Sequence, residues 1–148
     1  MFTKQFGIEV EFTGITREKA AETATHYLGG TISATGDYYD TQKVIASDGR
    51  VWKLMYDGSI NCQKKDRRRT VSASSTYSVE LVSPILSYRE DIDTVQALAR
   101  RLRKAGGFAN KSCGIHIHLD GASHTPRSIR NFINIIYAHN DLLYKSLQ

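Results

Sequence analysis

The sequence predicts an α+β fold, with strands and helices following one another along a single domain. Two stretches, residues 4–13 and 112–120, alternate strictly between apolar and polar side chains, which indicates strands with one buried and one polar face. An Asp48-Gly49 pair between two β-type runs indicates a hairpin, because glycine tolerates the positive φ of a tight turn. Three further stretches carry apolar residues at helical spacing between recognisable helix ends.

The expected elements follow in one order, without an internal repeat or a linker. They are a strand at 4–13, a helix at 17–28, a strand and turn at 31–39, hairpin arms at 41–47 and 50–56, a strand at 77–86, a helix from 88 to about 104, a strand at 112–120 and a helix from about 127 onward. Thr16 and Thr125 are the expected N-caps of the first and last helices. Ser87 and Glu90 match a capping box for the second helix. Pro84 lacks a backbone donor and should mark a strand end.

Burial is expected on the apolar side of both alternating strands and along the apolar stripe of the last helix. The side chains expected inside on the second alternating strand and the last helix are Ile115, Ile117, Leu119, Ile129, Phe132, Ile133, Ile136, Tyr137 and Leu143. Residues 64–76 are polar and are expected to form a mobile loop.

The bulk properties indicate a soluble globular protein. The chain has 148 residues, 41% of them hydrophobic and 24% charged, which fits one domain spanning residues 1–148. No apolar run approaches the roughly 20 residues of a membrane span, and the N-terminus lacks an apolar signal core. We therefore expect a cytoplasmic protein without a membrane partner. Cys62 and Cys113 give no disulfide framework, and a buried free thiol is expected at Cys113.

Much of the net charge of +5 lies in one run, Lys64-Lys65-Asp66-Arg67-Arg68-Arg69. Such a run is most often a solvated loop. It could also attract a polyanionic substrate such as a nucleotide, and Arg67 and Arg68 are then the candidate contacts. The run lacks the interleaved aromatic residues of a single-strand binder, which disfavours nucleic acid as the partner.

Carboxylates and histidines share polar strand positions, which predicts a cation site. Glu9 and Glu11 lie on the polar side of the first strand, and Glu80 stands inside a strongly apolar strand, where a carboxylate must be paired or bound to a cation. His116 and His118 project from one side of their strand, roughly 6.5–7 Å apart. Each motif alone has an ordinary reading, as exposed strand residues or as a pair of Glu80 with a nearby basic residue; the combination favours a metal.

Two metals fit this set differently. Three carboxylates with one or two imidazoles suit Mg²⁺ or Mn²⁺, and Mg²⁺ commonly bridges carboxylates to substrate phosphates. A Zn²⁺ site made of two histidines and one glutamate is the alternative and would suit a hydrolase. We favour the first, because zinc leaves two strand carboxylates unexplained. Asp57, in Asp-Gly-Ser, reads first as a turn residue.

Four short motifs occur in a fixed order across most of the chain: residues 6–12, Trp52 with residues 57–60, residues 80–84 and residues 113–118. Together they resemble the amidoligase family, which belongs with glutamine synthetase and glutamate–cysteine ligase in the carboxylate–amine ligase superfamily. The resemblance implies a glutamine synthetase-like antiparallel catalytic sheet with helices on one face and the active site on the other. It also implies an ATP- and Mg²⁺-dependent ligase that converts a carboxylate into an acyl phosphate, which an amine attacks to form an amide.

The resemblance also implies roles for individual residues. Glu9 and Glu11 match the Glu-x-Glu strand that binds divalent metal, with Glu80 as a further metal carboxylate. His116 matches the metal-binding histidine and His118 the histidine near the nucleotide phosphates. Asp57 matches an acidic residue on the amine or carboxylate substrate.

Family members are longer than this chain. They carry, beyond this region, a further strand with an acidic residue and an arginine at the metal and phosphate. The resemblance therefore implies that the catalytic sheet is incomplete at the C-terminus. The chain is then either the N-terminal part of a longer enzyme, which we favour, or a degenerate copy that lacks part of the site. In isolation the chain is expected to be inactive. Assembly into a homo-oligomer is a further expectation, since glutamine synthetase relatives often assemble. The alternative functions are a zinc-dependent hydrolase and a non-catalytic nucleic-acid-binding module.

Overall fold

The computed structural model describes residues 5–146 and has an α+β architecture. The described strands are β1 (Gln5–Phe12), β2 (Gly30–Ala34), β3 (Gln42–Ala46), β4 (Val51–Met55), β5 (Gln63–Asp66), β6 (Arg69–Ser72), β7 (Val79–Val82), β8 (Leu86–Ser87) and β9 (Ile115–Leu119). The described helices are α1 (Arg17–Leu28), α2 (Tyr88–Lys104), α3 (Pro126–Ala138) and α4 (Asn140–Ser146). The fold class predicted from the sequence is confirmed at this level.

The main sheet is antiparallel and is organised around β1. Its order is β2-β3-β4-β7-β1-β8, with β9 also paired to β1. Val10 of β1 pairs with Leu81 of β7 and with Ile115 of β9, so these two strands flank β1 on opposite sides. Strands β5 and β6 form a separate two-stranded ribbon.

The hydrophobic core lies between the sheet and the first two helices. α1 packs against β2, β3, β4 and α2, and α2 also contacts β8. Fully buried side chains include Trp52 and Leu54 from β4, Val79 from β7 and Leu98 from α2. Because side chains alternate along a strand, the apolar residues of β1 face this core and Glu9 and Glu11 face the other way.

Several local predictions are confirmed. The Thr16 side chain accepts the Lys19 N–H and caps α1, and Gly29 ends that helix at a φ of 62°. Thr125 caps α3 in a capping box with Ser128, and Pro126 follows at the first helical position. The chain leaves β7 just before Ser83 and Pro84, as expected for a residue without a backbone donor.

The capping box predicted at Ser87 and Glu90 is wrong. The Ser87 side chain makes no capping hydrogen bond. Instead, the buried Asp91 side chain accepts the Ser87 N–H at 2.7 Å, and its other oxygen pairs with Arg50 at 2.8 Å. The carboxylate of Asp91, one residue after Glu90, therefore accepts the backbone N–H at the start of α2, and its ion pair with Arg50 holds it in that position.

The basic segment is not the irregular loop predicted from its composition. Strands β5 and β6 pair from Gln63 to Ser72, and the turn between them places Arg67 at a φ of 54°. The ribbon is anchored where Thr13 accepts the Gln63 N–H and donates to the Gln63 carbonyl, both at 2.8 Å. Long-range hydrogen bonds at its base explain why a highly charged segment is ordered.

The predicted burial of β9 and the last helix is wrong. A strand forms at Ile115–Leu119 within the predicted stretch, but Ile115, Ile117 and Leu119 are 63–68% exposed. The apolar stripe of the last helix is exposed as well, on Ile129, Phe132, Ile133, Ile136, Tyr137 and Leu143. The reason is positional: α3 and α4 lie away from the sheet, so no described helix covers the apolar side of β9. None of the helices within residues 5–146 is long and apolar enough to cross a membrane.

Candidate active site

The polar face of the sheet brings Glu9 together with both histidines. Glu9 is the cross-strand partner of His116, and Gly7 is that of His118. His116 Nδ1 lies 3.0 Å from Glu9 Oε2, and His118 Nε2 lies 3.1 Å from Glu9 Oε1. Both carboxylate oxygens therefore contact an imidazole. The alternation predicted from the sequence puts the two histidines on one side of β9, and the pairing of β9 with β1 places them beside Glu9.

Glu11 is held by the backbone of the segment that leads into β9. The Gly114 N–H donates to Glu11 Oε2 at 2.7 Å, and the Glu11 N–H donates to the Gly114 carbonyl at 3.1 Å. His116 Nε2 lies 3.7 Å from the other oxygen, Oε1. With 6% of its surface exposed, Glu11 has one fixed oxygen and one directed into the cluster.

Glu80 joins the two parts of the cluster. It is the cross-strand partner of Glu11 on β1 and of Met55 on β4. Ligand atoms of Glu9, Glu80 and His116 lie within 4.8 Å of one another, and so do those of Glu11, Asp57 and Glu80. Glu80 therefore belongs to both groups. Within residues 5–146 no ion pair joins it to a basic residue, which removes the pairing alternative considered from the sequence.

Asp57 is both a turn residue and a member of the cluster. Its Oδ1 accepts the Ser59 N–H at 2.6 Å, as expected for an aspartate in Asp-Gly-Ser. Its backbone is fixed by Ser78, whose Oγ accepts the Asp57 N–H at 3.0 Å and donates to the Asp57 carbonyl at 2.6 Å. Ser78 is fully buried, so the turn is tied to the start of β7.

Electrostatics set the carboxyl groups of the cluster apart. Burial raises the pKa of Glu80, and the negative charges of Glu9, Asp57 and Glu11 raise it further. Burial also acts to raise the pKa of Glu9, but hydrogen bonds from His116 and His118 outweigh it, and that pKa is lowered. The hydrogen bond to Glu9 raises the pKa of His116. Glu80 is therefore the member whose charge is least compensated by the protein itself.

The metal-free protein is expected to lose stability as pH rises from about 5 to about 8. A group whose folded pKa is raised stabilises the fold below its unfolded pKa and loses that contribution as pH rises through the folded value. Glu80 and His116 both have raised pKa values. The lowered pKa of Glu9 acts only at lower pH, because its contribution is lost as pH falls through that value.

Urea unfolding of the parent protein and of Glu80→Gln, at about pH 5 and about pH 8, checks this expectation. Glu80→Gln should be more stable than the parent protein at the higher pH, and this difference in stability should be smaller at the lower pH. Glu90→Gln, on the exposed surface of α2, is the matched control. An equal shift at both pH values would contradict the assigned electrostatics.

The donor atoms of the cluster fit a hard divalent cation. Four carboxylates and one or two imidazoles suit Mg²⁺ or Mn²⁺. The uncompensated charge around Glu80 is of the sign a cation would neutralise. Glu9, with an imidazole on each oxygen, is also compatible with the two-histidine, one-carboxylate set of a zinc site.

Beside the cluster lies an open cleft of about 390 Å³. Glu9 and His118 line one part of it, and Ser83 and Pro84 line another. The Ser83 side chain accepts the Ile8 N–H at 2.9 Å and so fixes the wall formed after β7. His118 lines this cleft and does not belong to the group formed by Glu11, Asp57 and Glu80. His116, in contrast, lies 3.7 Å from Glu11. The two histidines therefore have different surroundings.

Arg67 and Arg68 are not part of this cluster. They lie at the exposed turn of the β5–β6 ribbon. Among the described residues no hydrogen bond or ion pair joins either guanidinium to the carboxylates. Their proposed contact with a nucleotide stays a prediction.

Two contributors were missed at the level of sequence. Gly114 holds Glu11 through its backbone, and its place on the polar side of the histidine strand was the available signal. A side chain built there would lie 3.4 Å from His116 Nε2 and 3.6 Å from Glu11 Oε2. Ser78 gave no signal, because its role depends on a tertiary contact with Asp57.

The fold and cluster define an antiparallel α+β protein with an acidic, histidine-containing site on one sheet face. The chain matches the family described as "putative amidoligase enzyme" over residues 3–148. It therefore belongs to that family, as the sequence motifs predicted. No curated protein and no solved structure matches the chain.

Proposed function

We propose that this chain is an ATP- and Mg²⁺-dependent carboxylate–amine ligase acting through an acyl phosphate, or the N-terminal part of one, and that it carries the metal-binding part of the catalytic site. The observation that carries the proposal is the double three-ligand cluster centred on Glu80, in a chain of the amidoligase family. We further propose that the sheet corresponds to the catalytic sheet of glutamine synthetase-like enzymes. The exposed polar face, opposite the helices, supports that correspondence.

Each residue has a role that its position supports. Glu9, Glu11, Glu80 and His116 are the proposed metal-binding residues. His118 is the proposed donor to a phosphate oxygen, a role supported by its position at the cleft. Asp57 offers its carboxylate either to a second cation or to the ammonium group of the amine substrate. Arg67 and Arg68 extend positive charge from the ribbon toward a polyanionic nucleotide.

The proposed reaction has two steps. The substrate carboxylate attacks the γ-phosphorus of ATP, and ADP leaves, giving an acyl phosphate. The amine nitrogen then attacks the acyl carbon, phosphate leaves, and the nitrogen loses a proton to form the amide. Bound Mg²⁺ would neutralise the charge that otherwise keeps a carboxylate from a triphosphate. In this scheme the protein residues hold the reactants in line.

ATP turnover by the full-length protein, with Mg²⁺ and a panel of amines and amino acids, tests the proposal. Phosphate release should depend on the presence of both a carboxylate and an amine. Glu9→Gln and His116→Ala should each abolish that release, because each removes a group in contact with the other. If both variants retain full turnover, the assignment of the site is wrong.

A zinc-dependent hydrolase is the second candidate, since Glu9 contacts both His116 and His118. Metal analysis of the purified protein separates the two. Stoichiometric, tightly bound zinc would favour the hydrolase and contradict the Mg²⁺ proposal. A nucleic-acid-binding module would instead show salt-sensitive binding of nucleic acid that is lost when residues 67–69 are neutralised, and would not bind nucleotide.

A further inference from the structure

Arg17 occupies a position that a helix start does not favour. It is the first residue of α1, where the helix dipole disfavours a positive charge. It is nevertheless 4% exposed, and a buried guanidinium is costly unless its donors are satisfied. A specific set of partners must therefore hold it there.

Those partners lie on the segment that enters β7 and on the loop before β3. Arg17 Nη1 donates to the Ser75 carbonyl at 2.6 Å and to the Ser78 carbonyl at 2.8 Å. Its Nε and Nη2 donate to Asp40 Oδ2 at 3.1 and 2.7 Å. The guanidinium carbon also lies 5.7 Å from the centre of the Tyr56 ring.

These contacts involve two residues next to Asp57, one in the chain and one in space. Tyr56 precedes it directly in the chain, and Ser78 holds its backbone through two hydrogen bonds. Ser78 also lies two residues before Glu80, which shares a ligand group with Asp57. Arg17 thus contacts the two segments that carry the Asp57 and Glu80 carboxylates.

We propose that Arg17 is a positioning residue that fixes Asp57 against Glu80 and Glu11 through Ser78. The inference rests on the proposed function for its metal, but the positioning itself is a property of the metal-free protein. Arg17 touches neither carboxylate in a hydrogen bond; it acts through Ser78 and the Tyr56 ring. Lysine cannot replace it, because an ammonium group lacks the planar fork that serves Asp40 and two carbonyls together.

The test uses Mn²⁺ alone as the probe, with binding followed by electron paramagnetic resonance. The parent protein should bind two ions. Arg17→Lys and Ser78→Ala should each weaken one of them by about 10–100-fold, the usual cost of losing an indirect support for a ligand. The other ion, at Glu9, Glu80 and His116, should be weakened less, because Ser78 hydrogen-bonds to Asp57.

A second measurement does not depend on metal. In the metal-free protein, hydrogen exchange at the Asp57 and Gly58 amides should be faster in Arg17→Lys, while the rest of the sheet keeps its protection. Arg50→Lys is the matched control, since Arg50 also forms ion pairs but with Asp48 and with Asp91 at the start of α2. It should alter neither readout.

The outcomes separate this inference from the proposed function. Unchanged exchange at Asp57 in Arg17→Lys and Ser78→Ala would overturn the positioning role, whatever the metal result. Equal weakening of both ions, with exchange raised throughout the sheet, would also overturn it in favour of a general structural role. Faster exchange confined to residues 57–58, in a parent that binds no Mn²⁺, would support the positioning and contradict the metal site.

Discussion

Glu80→Gln is expected to abolish metal-dependent turnover, with the largest loss of any single substitution in the cluster. Glu80 is the residue that both three-ligand groups share, so one change removes a ligand from each. An amide keeps the size of the side chain but removes the charge that binds a hard cation. We expect turnover to fall by at least about a thousandfold, on the scale of losing several kcal/mol of transition-state stabilisation.

Two measurements check this expectation. Initial rates of phosphate release are compared with those of Glu90→Gln, which changes the same side chain on the exposed surface of α2 and should leave the rate unchanged. Mn²⁺ binding should show both ions weakened in Glu80→Gln. Normal affinity for both ions would remove Glu80 from the site. The same variant should be more stable than the parent without metal near neutral pH, because the uncompensated charge is gone.

Leu98→Ala is expected to lower the free energy of unfolding by about 2–5 kcal/mol. Leu98 is fully buried on α2, within the hydrophobic core between α1, α2 and the main sheet. Removing its outer carbons leaves a cavity as well as losing buried apolar area. Leu142→Ala makes the same chemical change on α4, where the side chain is 65% exposed. It should cost less than about 0.5 kcal/mol.

Denaturant unfolding of both variants measures the difference directly. The comparison holds the residue type and helical setting constant, so burial is the main variable. Equal losses for the two variants would show that α4 packs on the core, contrary to the structure.

The geometry of the cluster follows largely from patterns within the sequence. Alternation predicts that Glu9 and Glu11 share one side of β1 and that His116 and His118 share one side of β9. The pairing of β1 with β9 and with β7 then places Glu80 beside them. The family follows from the same motifs, since they contain those residues.

Other features depend on contacts that no local pattern contains. Asp91 replaces the predicted cap because Arg50, about forty residues away, is its partner. The basic ribbon is ordered because Thr13 anchors Gln63 across about fifty residues. Periodicity also states only that a face is apolar. Whether a helix reaches that face is decided by the direction of the chain after β9, which explains the exposed Ile117.

The strands that carry the glutamates and the strand that carries the histidines differ in how many neighbouring strands they have. Glu9, Glu11 and Glu80 lie on β1 and β7, each of which has neighbours on both sides, whereas β9 pairs with β1 alone among the described strands. Segments with few buried contacts open locally at lower free energy than the centre of a sheet. We therefore expect β9, with His116 and His118, to open locally at lower free energy than β1 and β7, which carry the three glutamates. Local opening of this single edge strand would separate both imidazoles from Glu9 and leave the pairing of β1 with β7 intact.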